Sequence, residues 1–262
     1  MRISDFAVKF LEAPALLQLE RRRVYEIVRQ LSFKKNACVL DVGCGTGLTT
    51  VKLAQLGYTV EAVDLSAKMI DLTRHRIAEA RVSEQVSLCV GNVYTLQFVD
   101  NTFDLVLEIG MLEWLQSPRK AIEELVRVAK PGSYIIFTSA NYWRLNRVLD
   151  PLLSPLLLAP RHFVKRVLAS FGSKISNNKA ESEGMPYLRP LNDVVTAAGS
   201  EVELIKVVSV GFGPFSIFGK RILLNSSGIW LQEKLQRLAD LNVPVIRSTG
   251  RLHILLAKKR TV

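Results

Sequence analysis

The stretch that most restricts the fold is residues 39–48, VLDVGCGTGL. A short apolar run holding one acid, Asp41, passes through three glycines at 43, 45 and 47 into LTTVKLAQLG, which has the character of a helix stopped at Gly57. An apolar run bounded by glycine reads as a buried strand. A strand that enters a helix through glycines leaves bare backbone and helix-start N–H groups at the carboxyl end of that strand. In open α/β sheets this is where ligands bind.

The rest of the first half keeps the same rhythm. Residues 15–31 carry apolar side chains at 16, 17, 19, 24, 27, 28 and 31, which is helical spacing. ACVLDVG, YTVEAVDLS, VSLCVGN, FDLVLEIG and SYIIFTSA read as five successive strands. Between them, AKMIDLTRHRIAEARV reads as a helix with Ser66 placed to cap it, and SPRKAIEELVRVAK as a helix closed by Pro131-Gly132. Strand and helix alternate at the pace of βαβ units, which predicts a doubly wound parallel sheet with helices on both faces.

After residue 140 the alternation breaks. Residues 141–190 are apolar and basic and are interrupted by Pro151, Pro155 and Pro160. They read as a helical cap, with RHFVKRVLASF as a basic amphipathic helix. Alternation returns with a helix near 190–199 and strands at 201–210 and 251–260, with a second insertion over 210–250 between them. The expected organisation is therefore a helical segment, 1–36, then a ligand-binding core, 37–140, the cap, 141–190, and the remainder of the sheet, 191–262.

Charge separates these parts. The net charge is +11, yet residues 37–140 hold 9 Lys/Arg against 12 Asp/Glu. The basic excess lies wholly outside the segment with the glycines, which allows contact with an anionic membrane surface as well as a plain solvated face. Three cysteines, Cys38, Cys44 and Cys89, offer neither a disulfide framework nor metal-ligand spacing, and point to a reducing, cytoplasmic compartment. The N-terminus lacks a signal-peptide apolar run, and no stretch approaches the roughly 20 apolar residues of a membrane span.

The glycine spacing narrows the ligand. A dinucleotide motif, G-x-G-x-x-G, needs glycine at 48, where this chain has Leu48; a Walker loop needs Gly-Lys-Ser/Thr, which is absent. Polar groups close four successive strands: Asp41 with the glycines, Asp64, Asn92 and Glu108. Asp64 follows Gly43 by 21 residues and can accept both hydroxyls of a ribose.

With those residues in place, VLDVGCGTG, VEAVDLSAKMI, VGNVYTLQFVDNTFDLVL, GMLEWLQSP and ELVRVAKPGSYIIFT together resemble the successive motifs of the class I S-adenosylmethionine-dependent methyltransferases. They are closest in style to the small-molecule branch that includes the ubiquinone/menaquinone C-methyltransferases. The resemblance implies a Rossmann-like seven-stranded sheet with its last strand antiparallel. It also implies S-adenosyl-L-methionine as cofactor, S-adenosyl-L-homocysteine as product, and no metal. Asp41 and the backbone of Gly43, Gly45 and Gly47 would hold the methionine part, Asp64 the ribose, with Leu65 and Met69 packing near the adenosine and Asn92 and Val93 bordering the adenine; Cys44 within the loop and Glu108 at the end of the fourth strand complete the cofactor-binding candidates.

Many relatives carry a His in an LEH or LHH stretch after the fourth strand; here the stretch is LEW, with Trp114 in that place. The general-base candidates are then Glu113 and His162, the latter because the cap should cover the cleft. Tyr142, Trp143 and Trp114 are candidates for the wall of an acceptor pocket. The expected reaction is methyl transfer to a small apolar or amphipathic acceptor. RNA methylation and a catalytically silent cofactor-binding protein are the alternatives; the absence of a recognisable RNA-binding module argues against a nucleic-acid partner.

Overall fold

The computed structural model describes residues 14–150, 190–213, 215–217, 220–223 and 225–261, with Ser154 and Leu156. Among them, seven strands form one sheet: β1 (Cys38–Val42), β2 (Thr59–Asp64), β3 (Val86–Val90), β4 (Phe103–Glu108), β5 (Ala129–Ala140), β6 (Val202–Val210) and β7 (Leu252–Lys259). Their order is β3-β2-β1-β4-β5-β7-β6, with the last strand antiparallel. The helices are α1 (Pro14–Gln30), α2 (Leu48–Gln55), α3 (Ala67–Glu79), α4 (Pro118–Val128), α5 (Leu145–Leu149), α6 (Leu191–Ala198), α7 (Asn225–Asp240) and α8 (Pro244–Arg247). This is the architecture expected from the alternation and the resemblance. The chain divides into two compact units.

The first unit comprises Arg21–Ser139, Leu191–Val207 and Ile254–Val262. β1 pairs in parallel with both β2 and β4, so it is central. That explains its apolar run: Val39, Leu40 and Val42 are buried with helices on either face. α4 starts on Pro118, whose fixed φ suits the first helical position, and buries Ala121, Ile122, Leu125, Val126 and Val128. Burial of a Leu or Ile in such a stripe contributes about 1.5–3 kcal/mol.

α4 ends sooner than its sequence suggests. Ala129 already pairs with Phe103, so Ala129–Gly132 belong to β5. The register shifts between Phe103 and Leu105, and an irregularity of this kind can accommodate Pro131, which has no N–H for the ladder. Asp104 sits at that shift. Its Oδ2 accepts the Cys38 N–H at 2.9 Å and its Oδ1 accepts from Lys130 Nζ at 2.7 Å, which ties β1, β4 and β5 together.

The second unit comprises Met1–Glu20, Ala140–Pro190 and Val208–His253. Within it the insertion over 210–250 holds a two-stranded ribbon, Ser216–Ile217 with Lys220–Arg221, followed by α7 and α8. α7 packs on a small core of its own around Phe212, Phe215 and Ala239. His253 is buried and its Nδ1 lies 2.9 Å from Ser209 Oγ. Burial pushes its pKa down to about 4, so it is a neutral packed ring. His162, the basic amphipathic stretch 161–171 and most of the cap over 141–190 lie outside the described residues.

Candidate functional site

The site is built on the first unit, at the carboxyl ends of β1, β2 and β4. Leaving β1, the N–H groups of Gly43 and Cys44 both donate to Val63 O on β2, at 2.7 and 3.0 Å. The chain can turn this tightly because Gly43, Gly45 and Gly47 have φ of 73°, 57° and 76°, in the left-handed region. The three glycines have different surroundings. A Cβ on Gly43 would stand 3.0 Å from Met111 Sδ, and one on Gly47 would clash with Thr73 Cγ2 at 2.6 Å. A Cβ on Gly45 would meet nothing within 4 Å. Gly47 is thus required by packing and Gly43 is closely approached by Met111, whereas Gly45 faces open space that a ligand can occupy.

Three side chains hold the loop from outside. Asp64 Oδ2 accepts the Gly45 N–H at 2.9 Å, while its Oδ1 accepts the Ser66 N–H at 2.9 Å. Ser66 therefore occupies the cap position of α3 without a side-chain cap bond of its own. Thr73 Oγ1 donates to Gly45 O at 2.9 Å, and Arg76 Nη1 donates to Thr46 O and Thr46 Oγ1 at 2.7 and 2.9 Å. Asp64 is half-buried. Each carboxylate oxygen accepts more than one bond, so Asp64 retains capacity for further donors.

Asp41 lies beneath the loop, 2% exposed, and accepts from Thr50 Oγ1 at 2.6 Å. Burial raises its pKa to about 6. Gly47 gives α2 no side-chain cap. The helix start therefore keeps its positive dipole end for an anionic group. Tyr25, on α1, donates to Leu48 O at 3.4 Å, so this helix reaches the start of α2. Cys44 is buried, which raises its pKa and keeps it a thiol.

The remaining candidates fall in distinct settings. Leu65 is 73% exposed beside Asp64, whereas Met69 is buried in α3. Asn92 is exposed and its Oδ1 accepts the Tyr94 N–H at 3.0 Å; Val93 is buried in the core. Glu108 differs from its expected cofactor-binding place. It is 0% exposed, and its carboxylate accepts the N–H groups of Met111, Leu112 and Thr138 at 2.5, 2.9 and 3.3 Å. Glu113 and Trp114 lie in the 3-10 turn Leu112–Trp114 and are half-buried.

Tyr142 and Trp143 belong to the second unit. Their rings pack edge to face at 5.3 Å, and Arg147 stacks over Tyr142 at 4.0 Å. Among the described residues, no group of three His, Cys, Asp or Glu side chains gathers as metal ligands would.

Thr73, Arg76 and Met111 were absent from the candidates read in the sequence. One signal was available for Thr73. It falls between Ile70 and Ile77 on the buried stripe of α3, where a polar residue calls for a partner.

The arrangement tests well for the cofactor that the resemblance implies. It offers backbone open to close approach at Gly45, an uncapped helix start, and a carboxylate with spare acceptor capacity at the end of β2. Comparisons with known proteins agree. Residues 40–137 match a family model described as a methyltransferase domain. Ajmaline N-methyltransferase of Rauvolfia serpentina is 31% identical over 75% of this chain and 63% of its own length. Demethylmenaquinone methyltransferase of Lactiplantibacillus plantarum is 38% identical over 60% of this chain and 64% of its own length. The chain thus spans less than two thirds of either relative. The geranyl diphosphate C-methyltransferase of Streptomyces coelicolor, solved with Mg2+, geranyl diphosphate and S-adenosyl-L-homocysteine, shares the fold. Its TM-score is 0.58 at 18% identity, covering 94% of this chain and 81% of that one. By its motifs, its sheet order and these matches, the chain is similar to the S-adenosylmethionine-dependent methyltransferases, with a methyltransferase-like domain over residues 40–137.

Proposed function

We propose that this protein transfers a methyl group from S-adenosyl-L-methionine to a small apolar or amphipathic acceptor. The observation that carries the reading is the glycine loop, left-handed at three positions and tied to Asp64 at the end of β2. When bound, the cofactor supplies a methyl group activated on a sulfonium. Asp64 accepts the ribose hydroxyls, and Asp41, Cys44 and the backbone of Gly43, Gly45 and Gly47 hold the methionine part. Leu65 and Met69 lie along the adenosine, with Asn92 and Val93 at the adenine. The protein's task is then to align the acceptor and exclude water, since in-line displacement from a sulfonium needs no covalent nucleophile.

Glu113 and His162 remain candidates for a base, needed only if the acceptor must lose a proton early. Tyr142, Trp143 and Trp114 are proposed to recognise the acceptor. The small-molecule character of that acceptor is supported by relatives named for ajmaline and demethylmenaquinone.

Peripheral contact with an anionic membrane belongs to the same reading. It is supported by Trp143 and Trp230, which are 42% and 61% exposed, and by Lys234 over the Trp230 ring. Co-sedimentation with anionic vesicles at two salt concentrations tests it.

The activity is tested by incubating the protein with S-adenosyl-L-methionine and a panel of acceptors: a tertiary amine, a hydroquinone with an apolar tail, a prenyl diphosphate and a short RNA. Acceptor-dependent S-adenosyl-L-homocysteine, with a gain of one methyl in the acceptor mass, is expected for a small molecule. Product only with RNA contradicts the reading.

A further inference from the structure

We propose that Glu108 is a positioning residue: its buried carboxylate holds the turn after β4 so that Met111 lies against Gly43 and sets the shape of the glycine loop. The proposal rests on the cofactor reading above, but on observations that reading does not use.

Glu108 is 0% exposed, so it acts through its neighbours rather than by touching a ligand. Three successive backbone N–H groups follow it, and all three end on side chains. Gly110 donates to Thr138 Oγ1 at 2.7 Å, and Met111 and Leu112 both donate to Glu108 Oε1. Glu108 Oε2 accepts the Thr138 N–H in turn. The turn is thereby fastened to β4 through Glu108 and to β5 through Thr138. Gly110 has φ of 83°, the backbone state needed to bring those donors round.

The fastened turn delivers one side chain to the glycine loop. Met111 Sδ and Cβ stand 3.0 and 3.3 Å from where a Cβ of Gly43 would be. A side chain at Gly43, already strained at φ of 73°, would also press on Met111, and Met111 is held there because Glu108 accepts its N–H. A carboxyl group buried among N–H groups, with no basic side chain bonded to it among the described residues, is a costly way to fill a core. A leucine would fill the space as well but would leave those N–H donors without acceptors. The role of the carboxylate is therefore directional.

The test is a double-mutant cycle read by calorimetric titration of S-adenosyl-L-homocysteine into Glu108→Leu, Met111→Ala and the double variant, alongside wild type. If Glu108 acts through Met111, each single variant binds about tenfold more weakly and the double variant is no weaker than the worse single one, since the two changes break one coupled unit. Losses that multiply in the double variant, or unchanged affinity in a folded Glu108→Leu, overturn the proposal. Hydrogen exchange at Gly110–Leu112 is followed in parallel, together with Thr138→Val, which cuts the same turn from β5. Faster exchange there in Glu108→Leu is expected, and unchanged exchange overturns the role. Wild-type protein that binds no S-adenosyl-L-homocysteine sinks the cofactor reading instead, and the exchange measurement then still decides whether Glu108 holds the turn.

Discussion

The backbone N–H of Gly45 donates to Oδ2 of Asp64 at 2.9 Å. This bond joins the loop after β1 to the end of β2, the two places where the cofactor reading needs a bare backbone and an acceptor. Asp64 therefore has two tasks, shaping the loop and receiving the ligand. Substituting it should reduce affinity through both.

The glycines should separate by experiment. Gly47→Ala places a Cβ 2.6 Å from Thr73 at φ of 76°. It should destabilise the protein by about 1–3 kcal/mol through overpacking. Gly45→Ala meets open space at φ of 57°. It should destabilise by only about 1 kcal/mol through backbone strain, yet lose most of its affinity for S-adenosyl-L-homocysteine. Urea denaturation and calorimetry on both variants check this. Equal stability losses, or full affinity in Gly45→Ala, contradict the distinct roles given to the two positions.

Thr73→Val keeps the shape of the side chain and removes its donation to Gly45 O. The expected loss of stability is about 0.5–1.5 kcal/mol, with affinity for the cofactor falling alongside it. A variant whose urea midpoint and cofactor affinity both match wild type would show that Thr73 only packs beneath Gly47.

Stability should also depend on pH in a particular direction. Burial raises the Glu108 pKa from its ordinary 4.5 to about 8, against the lowering effect of its three N–H partners, with Glu113 adding to the rise. Burial likewise raises Asp41 from 3.8 to about 6. A carboxyl whose folded pKa is raised favours the fold fully below its unfolded value, and that contribution is lost as pH climbs through the folded value. From these two groups, stability should decline between about pH 4 and pH 8. Denaturant midpoints measured across that range should fall in wild type and fall less steeply in Glu108→Gln. A midpoint that rises with pH in wild type and is unaltered in slope by the substitution would contradict this account of Glu108.

The sheet was legible because its central strands are covered on both faces. Val39, Leu40 and Val42 carry that burial in their composition, and α4 carries its apolar stripe in its spacing. The start of β5 was not legible, since Pro131-Gly132 reads locally as a helix stop while Ala129 is already paired with Phe103. Pairing across the sheet decides such a boundary, and a linear reading does not see it. The same limit applies at the site. Asp64 and the glycines could be read from strand ends alone. Met111 against Gly43, and Arg76 on Thr46, depend on how a turn and a helix pack from elsewhere in the chain. Glu108 is the sharpest case. Its position at a strand end suggests a cleft-lining acid, and only the return of the Met111 and Leu112 N–H groups shows that it faces inward.

The most direct test of the central claim is a calorimetric titration of S-adenosyl-L-homocysteine into wild type, Asp64→Ala and Asp64→Asn. Saturable binding at one site per chain is predicted for wild type. Asp64→Ala should lose about 1–3 kcal/mol, roughly 5- to 150-fold, the range for removing a charged hydrogen-bond partner. Asp64→Asn, which keeps one acceptor oxygen, should fall between the two. No binding by folded wild-type protein, or equal affinity in all three, would contradict the assignment of this glycine loop and Asp64 as the cofactor site.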